Sequence, residues 1–134
     1  MNMGEVYIDG VSQTKFGKDT RKLEIMLADV GKRALIYSKC KEPPDIVYIG
    51  NFNYMGYADQ GSLDALVGEE LRRKIKSTTP VFHIDRGSAS GAAAIEAAYE
   101  HAIAGKRVLV ISGEKMFLEE ADRQKITEET SKMM

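Results

Sequence analysis

The stretch that decides the fold is HIDRGSASGAAAIEAAYE, residues 83–100. It opens in a short apolar run, VFHID (81–85), turns sharply through small residues, and continues into a segment crowded with alanine, from about Ala89 to Ala104. Strand, tight turn and helix in that order place Ser88 at the tip of the helix. The first half of the helix, ASGAAAIEAA, is small or apolar on nearly every face. A helix of that kind is either tightly enclosed or packed close against other backbone.

Working outward, three more β-branched runs match the first: EVYIDGV (5–11), DIVYIG (45–50) and RVLVIS (107–112). Each is bounded by Gly, Pro, Asp or Ser, as strands are. Between the runs lie segments of helical length. Leu23, Met26, Leu27, Val30, Ala34 and Tyr37 recur on one helical face, and so do Leu63, Leu66, Val67, Leu71 and Ile75. The first of these helices is predicted to stop at KCKEPPD, because Pro43 and Pro44 cannot continue it. The second stops at KSTTP. Alternating strands and helices mean crossover connections and a layered α/β domain with helices on both faces of a mainly parallel sheet of four to five strands. After Met116 the apolar stripe thins to Phe117, Leu118, Ala121 and Ile126. Residues 1–116 therefore read as one α/β domain and 117–134 as a charged tail or marginal helix.

Composition narrows the function. The chain has 134 residues, enough for one domain with a real core. Its net charge of −1, with both signs spread along the chain, gives no pull toward nucleic acid or an anionic membrane. No apolar run approaches the ~20 residues a membrane span needs. The N-terminus has no signal-peptide core, so the expected compartment is the cytoplasm. One cysteine, Cys40 in SKCKEPP, excludes a disulfide framework and a cysteine metal cluster, and reads as a bystander thiol. The seven methionines read as core or terminal residues and form no metal box. No metal is expected.

Ser88 admits three readings. A serine beginning a helix serves well as its N-cap. A helix tip also favours anions, through free N–H groups and the macrodipole. GSASG, however, lacks the lysine of a phosphate loop and the spacing of a dinucleotide loop, which also weighs against a flavodoxin-like nucleotide-binding domain. The third reading is a nucleophile. The dipole acidifies a thiol but is too weak to ionise a hydroxyl, so a serine needs a base. Of the two histidines, His83 lies five residues upstream on the strand, and His101 lies toward the far end of the helix, rising about 1.5 Å per residue away from Ser88. Neither is placed by sequence to take the proton. Gly87 directly precedes Ser88, so the G-x-S-x-G elbow is out of register.

The segment RGSASGAAAIEAAYEHAIAGKRVLVISGEKM resembles the nucleophile segment of thiolases: a Cys-Ala-Ser-Gly turn, an alanine-rich helix, a strand, then Gly-x-Glu-Lys-Met. The ending Gly113-Glu114-Lys115-Met116 is similar to the archaeal and sterol-carrier-protein-like branch. GVSQTKFGK (10–18), DIVYIGNF and QGSL are similar to that branch's opening strand and second strand and loop. The resemblance runs in order from residue 5 to about 116.

The resemblance implies one half of a two-half enzyme, a five-stranded sheet between helices. In that family the first half offers a cysteine that takes an acyl group from acyl-CoA, for Claisen condensation or thiolysis. Coenzyme A and acyl-CoA would be substrates, with no tightly bound cofactor, in lipid metabolism. The third strand, Val81–Asp85, would be the edge that pairs across a homodimer two-fold. This sequence departs at the decisive position, where Ser88 stands in place of cysteine. The family's histidine base, second cysteine and most of its CoA pocket belong to a second half that these residues do not match. The expectation is a catalytically incomplete acyltransferase domain. The alternative is an assembly module that docks a partner, such as a C-terminal half. Among the remaining polar residues, Glu114 and Lys115 read as pocket lining or as an ion-paired turn, and Asp85 and Arg86 as a local pair or solvated edge. Tyr54, Met55 and Tyr57 read as acyl- or pantetheine-contacting residues or as a cover for the sheet's end.

Overall fold

The computed structural model describes residues 4–52, 62–115, 128 and 131–133. Six elements follow in chain order: α1 (Leu23–Tyr37), β1 (Ile46–Gly50), α2 (Leu63–Ile75), β2 (Val81–Ile84), α3 (Ser90–Ile103) and β3 (Val108–Ser112). The strands form one parallel sheet in the order β2-β1-β3. Val47 stands opposite Val81 on one side and Leu109 on the other, and Ile49 opposite His83 and Ile111.

The period of two along each strand divides the side chains between two layers. Val47, Ile49, Leu109 and Ile111 point to one face and form the buried core with Leu23, Leu27 and Ala28 of α1 and Leu63, Val67 and Leu71 of α2. α1 lies over β3 because Gly31 carries no side chain: a Cβ there would stand 2.6 Å from Ile111 Cδ1. Among the described residues the opposite face carries α3 alone. Gly50 and Gly91 let that helix approach closely, since a Cβ on Gly50 would meet Ser90 O at 2.6 Å and one on Gly91 would meet Ser112 Oγ at 2.9 Å. Among the described residues, helices therefore cover both faces, two on one side and one on the other.

The helices end where their backbone groups find other partners. Ser38 leaves α1 in an extended conformation, its N–H still reaching Ala34 O at 3.0 Å, before the prolines are met. Lys76 closes α2 in the left-handed region at φ 52°, with its N–H on Arg72 O at 2.8 Å. No helix among the described residues is long and apolar enough to cross a membrane.

Two expectations change. EVYIDGV (5–11) is not a strand: it runs irregularly beside α1, with Tyr7, Ile8 and Val11 exposed, Ile8 at 84%. A strand-forming sequence gains its hydrogen bonds only from a neighbour, and among the described residues it has none. The described sheet thus has three strands, all parallel, where four to five mainly parallel strands are expected. The alanine helix is also less enclosed than its composition implies. Ala94 and Ala98 are buried on the sheet side, whereas Ile95, at 63%, and Tyr99 are exposed on the outer side. Of the tail, residues 128 and 131–133 are helical, and Phe117, Leu118, Ala121 and Ile126 lie outside the described residues.

Candidate functional site

All three strands point the same way, so their carboxyl ends meet at one edge of the domain, where open α/β sheets place their ligands. Asn51 and Phe52 follow β1, His83 and Asp85 end β2, and Gly113 and Glu114 follow β3. Ser88 sits in the turn that leaves β2 for α3.

That turn is built on Gly87 and Ser90. Gly87 has φ +59°, a region that favours glycine, and its N–H meets Asp85 Oδ1 at 3.1 Å. Ser90, the first residue of α3, is buried. Its hydroxyl donates to Gly87 O at 2.7 Å and accepts from Arg86 N–H at 2.8 Å. The structural serine is therefore Ser90. Ala89 occupies the N-cap position and makes no side-chain bond, so Ser88 is not the cap. Ser88 is exposed, and its hydroxyl has no hydrogen-bond partner among the described residues. An enclosed position at the mouth of a covered helix, as the alanine run implies, is not what these residues form.

Beside the turn, one carboxylate ties two strand ends together. Asn51, only 1% exposed, donates from Nδ2 to Gly113 O at 2.7 Å and to Glu114 Oε2 at 2.8 Å. Phe52 N–H meets the other carboxylate oxygen, Oε1, at 2.5 Å. Glu114 is exposed as a residue, yet its carboxyl group folds back onto these donors. Burial raises its pKa above the ordinary value, and nearby Asp85 adds to the rise. The Phe52 N–H and His83 oppose it. Sequence reasoning passes over Asn51, whose signal is slight: one polar residue directly after a buried strand.

The two histidines have separate duties. His83 Nε2 lies 3.0 Å from Asn51 O. A carbonyl only accepts, so Nε2 carries the proton and donates. His101 Nε2 pairs with Tyr48 OH at 2.7 Å, and the two rings stack at 5.7 Å between centroids, on the α3 face of the sheet and away from the turn. Lys115 Nζ donates to Arg21 O and binds the N-terminal segment, so Glu114 and Lys115 do not form an ion pair with each other. Tyr54, Met55 and Tyr57 lie outside the described residues.

Among the described residues no group of His, Cys, Asp and Glu is arranged to hold a metal ion. Cys40 stands at the other end of the sheet, where its carbonyl accepts from Arg107 at 2.7 Å. The arrangement thus offers a free primary hydroxyl beside a helix N-terminus, a histidine with its Nε2 proton committed, and a carboxyl group whose acidity is weakened. No protein-family model matches the chain, and no curated protein matches it.

Proposed function

We propose that this chain is a thiolase-type acyltransferase domain in which Ser88 occupies the acyl-accepting position and which, by itself, does not turn over acyl-CoA. The observation that carries the reading is the division of labour between two serines. Ser90 holds the turn, and two residues earlier the Ser88 hydroxyl is left exposed and without a hydrogen bond among the described residues. The order strand, small-residue turn, alanine helix, strand and Gly113-Glu114-Lys115 supports the same reading.

Acyl transfer at this position joins the side-chain heteroatom to the thioester carbonyl, breaks the carbon–sulfur bond, and sends coenzyme A away as the thiol with the proton the nucleophile lost. An alcohol needs a base for this step. His83 Nε2 cannot act as one while it donates to Asn51 O, and His101 is paired with Tyr48 on another face. An acyl transfer needs nucleophile, base and oxyanion donors together. The expected substrate class is acyl-CoA, the expected setting is cytoplasmic lipid metabolism, and a homodimer forms through the edge strand Val81–Asp85. The open side of β2, where Phe82 is 48% exposed, supports that pairing. The same exposed edge favours the second reading, a non-catalytic assembly module.

The test uses the wild-type chain, Ser88→Ala and Ser88→Cys with acetyl-CoA and acetoacetyl-CoA. Wild type and Ser88→Ala show equal, negligible turnover. Ser88→Cys takes up one acetyl group from acetyl-CoA, seen by intact mass, whereas wild type, which retains Cys40, takes up none. A Ser88→Cys chain that stays unmodified ends the acyltransferase reading and leaves the assembly module.

A further inference from the structure

We infer that the loop over residues 15–22 docks the adenosine end of coenzyme A, with the adenine ring laid on Phe16 and the phosphates held by the lysines around it. The identity of the ligand rests on the acyltransferase reading. Phe16 is 94% exposed, the most exposed large apolar side chain among the described residues. An exposed ring is ordinary on a loose end of chain, but this one stands on a loop braced from both sides. Before it, Gln13 O accepts from Arg33 Nη2 of α1 at 3.1 Å. After it, Arg21 bonds Asp19 through its backbone N–H at 3.0 Å and through Nη2 at 2.8 Å, and its Nη1 reaches Asp29 of α1 at 3.5 Å. Between the braces residues 15–18 are all exposed, and Gly17, at φ +125°, turns the chain beside the ring.

Charge selects the ligand. Residues 15–22 carry Lys15, Lys18, Arg21 and Lys22 against Asp19 alone, on a chain whose net charge is −1. Asp19 is held by Arg21, so it does not offset Lys15 and Lys22. One flat apolar ring set among cations fits a ligand with a flat face and negative charge. Aromatic side chains take nucleobases by stacking, and lysine takes phosphate as a point charge. Phe16 is the one large apolar side chain in the loop, whereas segments that enter a lipid surface carry several. The loop is thus suited to a single base with its phosphates.

The fold sets this loop beside the reacting end. Lys115, just past the carboxyl end of β3, donates from Nζ to Arg21 O, so the loop stands at the carboxyl edge of the sheet. Ser88 leaves β2 at the same edge. From β3 to β2 the edge spans two strand spacings, about 10 Å. A coenzyme A with its nucleotide on Phe16 can lay its pantetheine arm across the strand ends and bring the thioester toward Ser88.

Backbone amide NMR on the full chain tests it. The chain is titrated with coenzyme A, with the adenosine bisphosphate left when coenzyme A is cut at its pyrophosphate, with pantetheine, and with inorganic phosphate. Coenzyme A and the bisphosphate are expected to shift the amides of Lys15, Phe16 and Gly17, and pantetheine and phosphate to leave them in place. Phe16→Ala weakens the bisphosphate about tenfold by removing the stacking face. Lys15→Glu weakens it several-fold, and Lys106→Glu, the same charge change at the amino ends of the sheet, does not. All three side chains are exposed, so denaturant midpoints stay at the wild-type value. Amides that ignore the bisphosphate overturn the inference, and so does a Phe16→Ala affinity equal to wild type. Equal weakening by the two lysine variants, or an equal response to phosphate, overturns it as well, since either means attraction to charge alone. The bisphosphate carries no acyl group, so its binding is read apart from Ser88. A Ser88→Cys chain that stays unmodified while the bisphosphate shifts Gly17 ends the acyltransferase reading and leaves the nucleotide site in place.

Discussion

The two ends of the sheet are built on opposite principles. At the amino ends, Arg107 joins the loop after α1 to the start of β3. Its Nη2 donates to Ser38 Oγ and Cys40 O, both at 2.7 Å, its Nη1 to Glu42 O, and its own N–H meets Asp45 Oδ2 at 2.8 Å. Thr79 Oγ1 donates to Pro44 O at 2.7 Å close by. These polar groups are committed to holding loops to strands. At the carboxyl ends the groups keep capacity in reserve. The Ser88 hydroxyl has no partner among the described residues, Asn51 Oδ1 is buried without one, and the Glu114 carboxyl is less acidic than usual. The contrast separates committed from uncommitted polar groups along one axis of the domain, and mutations at the two ends should differ accordingly.

The largest expected effect lies at the carboxyl ends, in the close approach of α3 to the last residue of β1. Gly50→Ala sets a methyl 2.6 Å from the backbone oxygen of Ser90. Backbone yields less readily than a side chain, so the helix must lift from β1. A loss of about 3 kcal/mol in urea unfolding is expected. Arg107→Ala comes next, with about 2 kcal/mol, because it removes charge-assisted bonds to acceptors sheltered at the amino ends. A loss below half that figure would show the amino-end lock to be ornamental and would dissolve the contrast.

Glu114→Gln addresses the carboxyl ends through pH. Burial raises the Glu114 pKa in the folded chain, so the native state holds this proton more tightly than the unfolded state does. In the window from the ordinary carboxylate value up to the raised one, the native state binds more protons, and stability falls as pH rises through it. Glu114→Gln removes that part of the slope. Asp19 works in the opposite sense: Arg21 bonds its carboxylate and lowers the pKa to about 2, so its contribution is present above the ordinary value and is lost as pH falls toward 2. A pH titration of denaturant midpoints for wild type and Glu114→Gln should differ above the ordinary carboxylate range and converge below it. Identical slopes would mean that the Phe52 N–H and His83 cancel the effect of burial.

How much of this was legible in the residues follows from the forces involved. α1, α2 and α3 are written in local periodicity, and their observed bounds lie within a residue or so of the apolar stripes. β1, β2 and β3 are similarly clear, because β-branched runs between turn residues describe a buried strand wherever it pairs. EVYIDGV has the same signature and lies outside the sheet, since pairing is a property of a neighbour and not of the run itself. The site was half legible. The turn from β2 to α3 is marked by Gly87, but which serine holds the turn and which stays exposed depends on one residue of helical phase. Asn51 and Glu114 meet across 63 positions of sequence, and only the parallel register of β1 and β3 brings them together.

The smallest expected effect bears most directly on that phase. Ser90→Ala removes a buried hydroxyl that bonds Gly87 O and Arg86 N–H, and it leaves the Arg86 N–H without its acceptor. About 1 kcal/mol or somewhat more should be lost. Ser88→Ala removes a hydroxyl with no hydrogen bond among the described residues, two residues away, and stability should stay within about 0.5 kcal/mol of wild type. The pair therefore forms an internal control, with the same chemical change in the same turn and different consequences. A Ser88→Ala loss equal to that of Ser90→Ala would make position 88 part of the scaffold. A silent Ser88→Ala beside a costly Ser90→Ala leaves its hydroxyl as a group the fold does not need, which is the condition for a residue kept for binding or reaction.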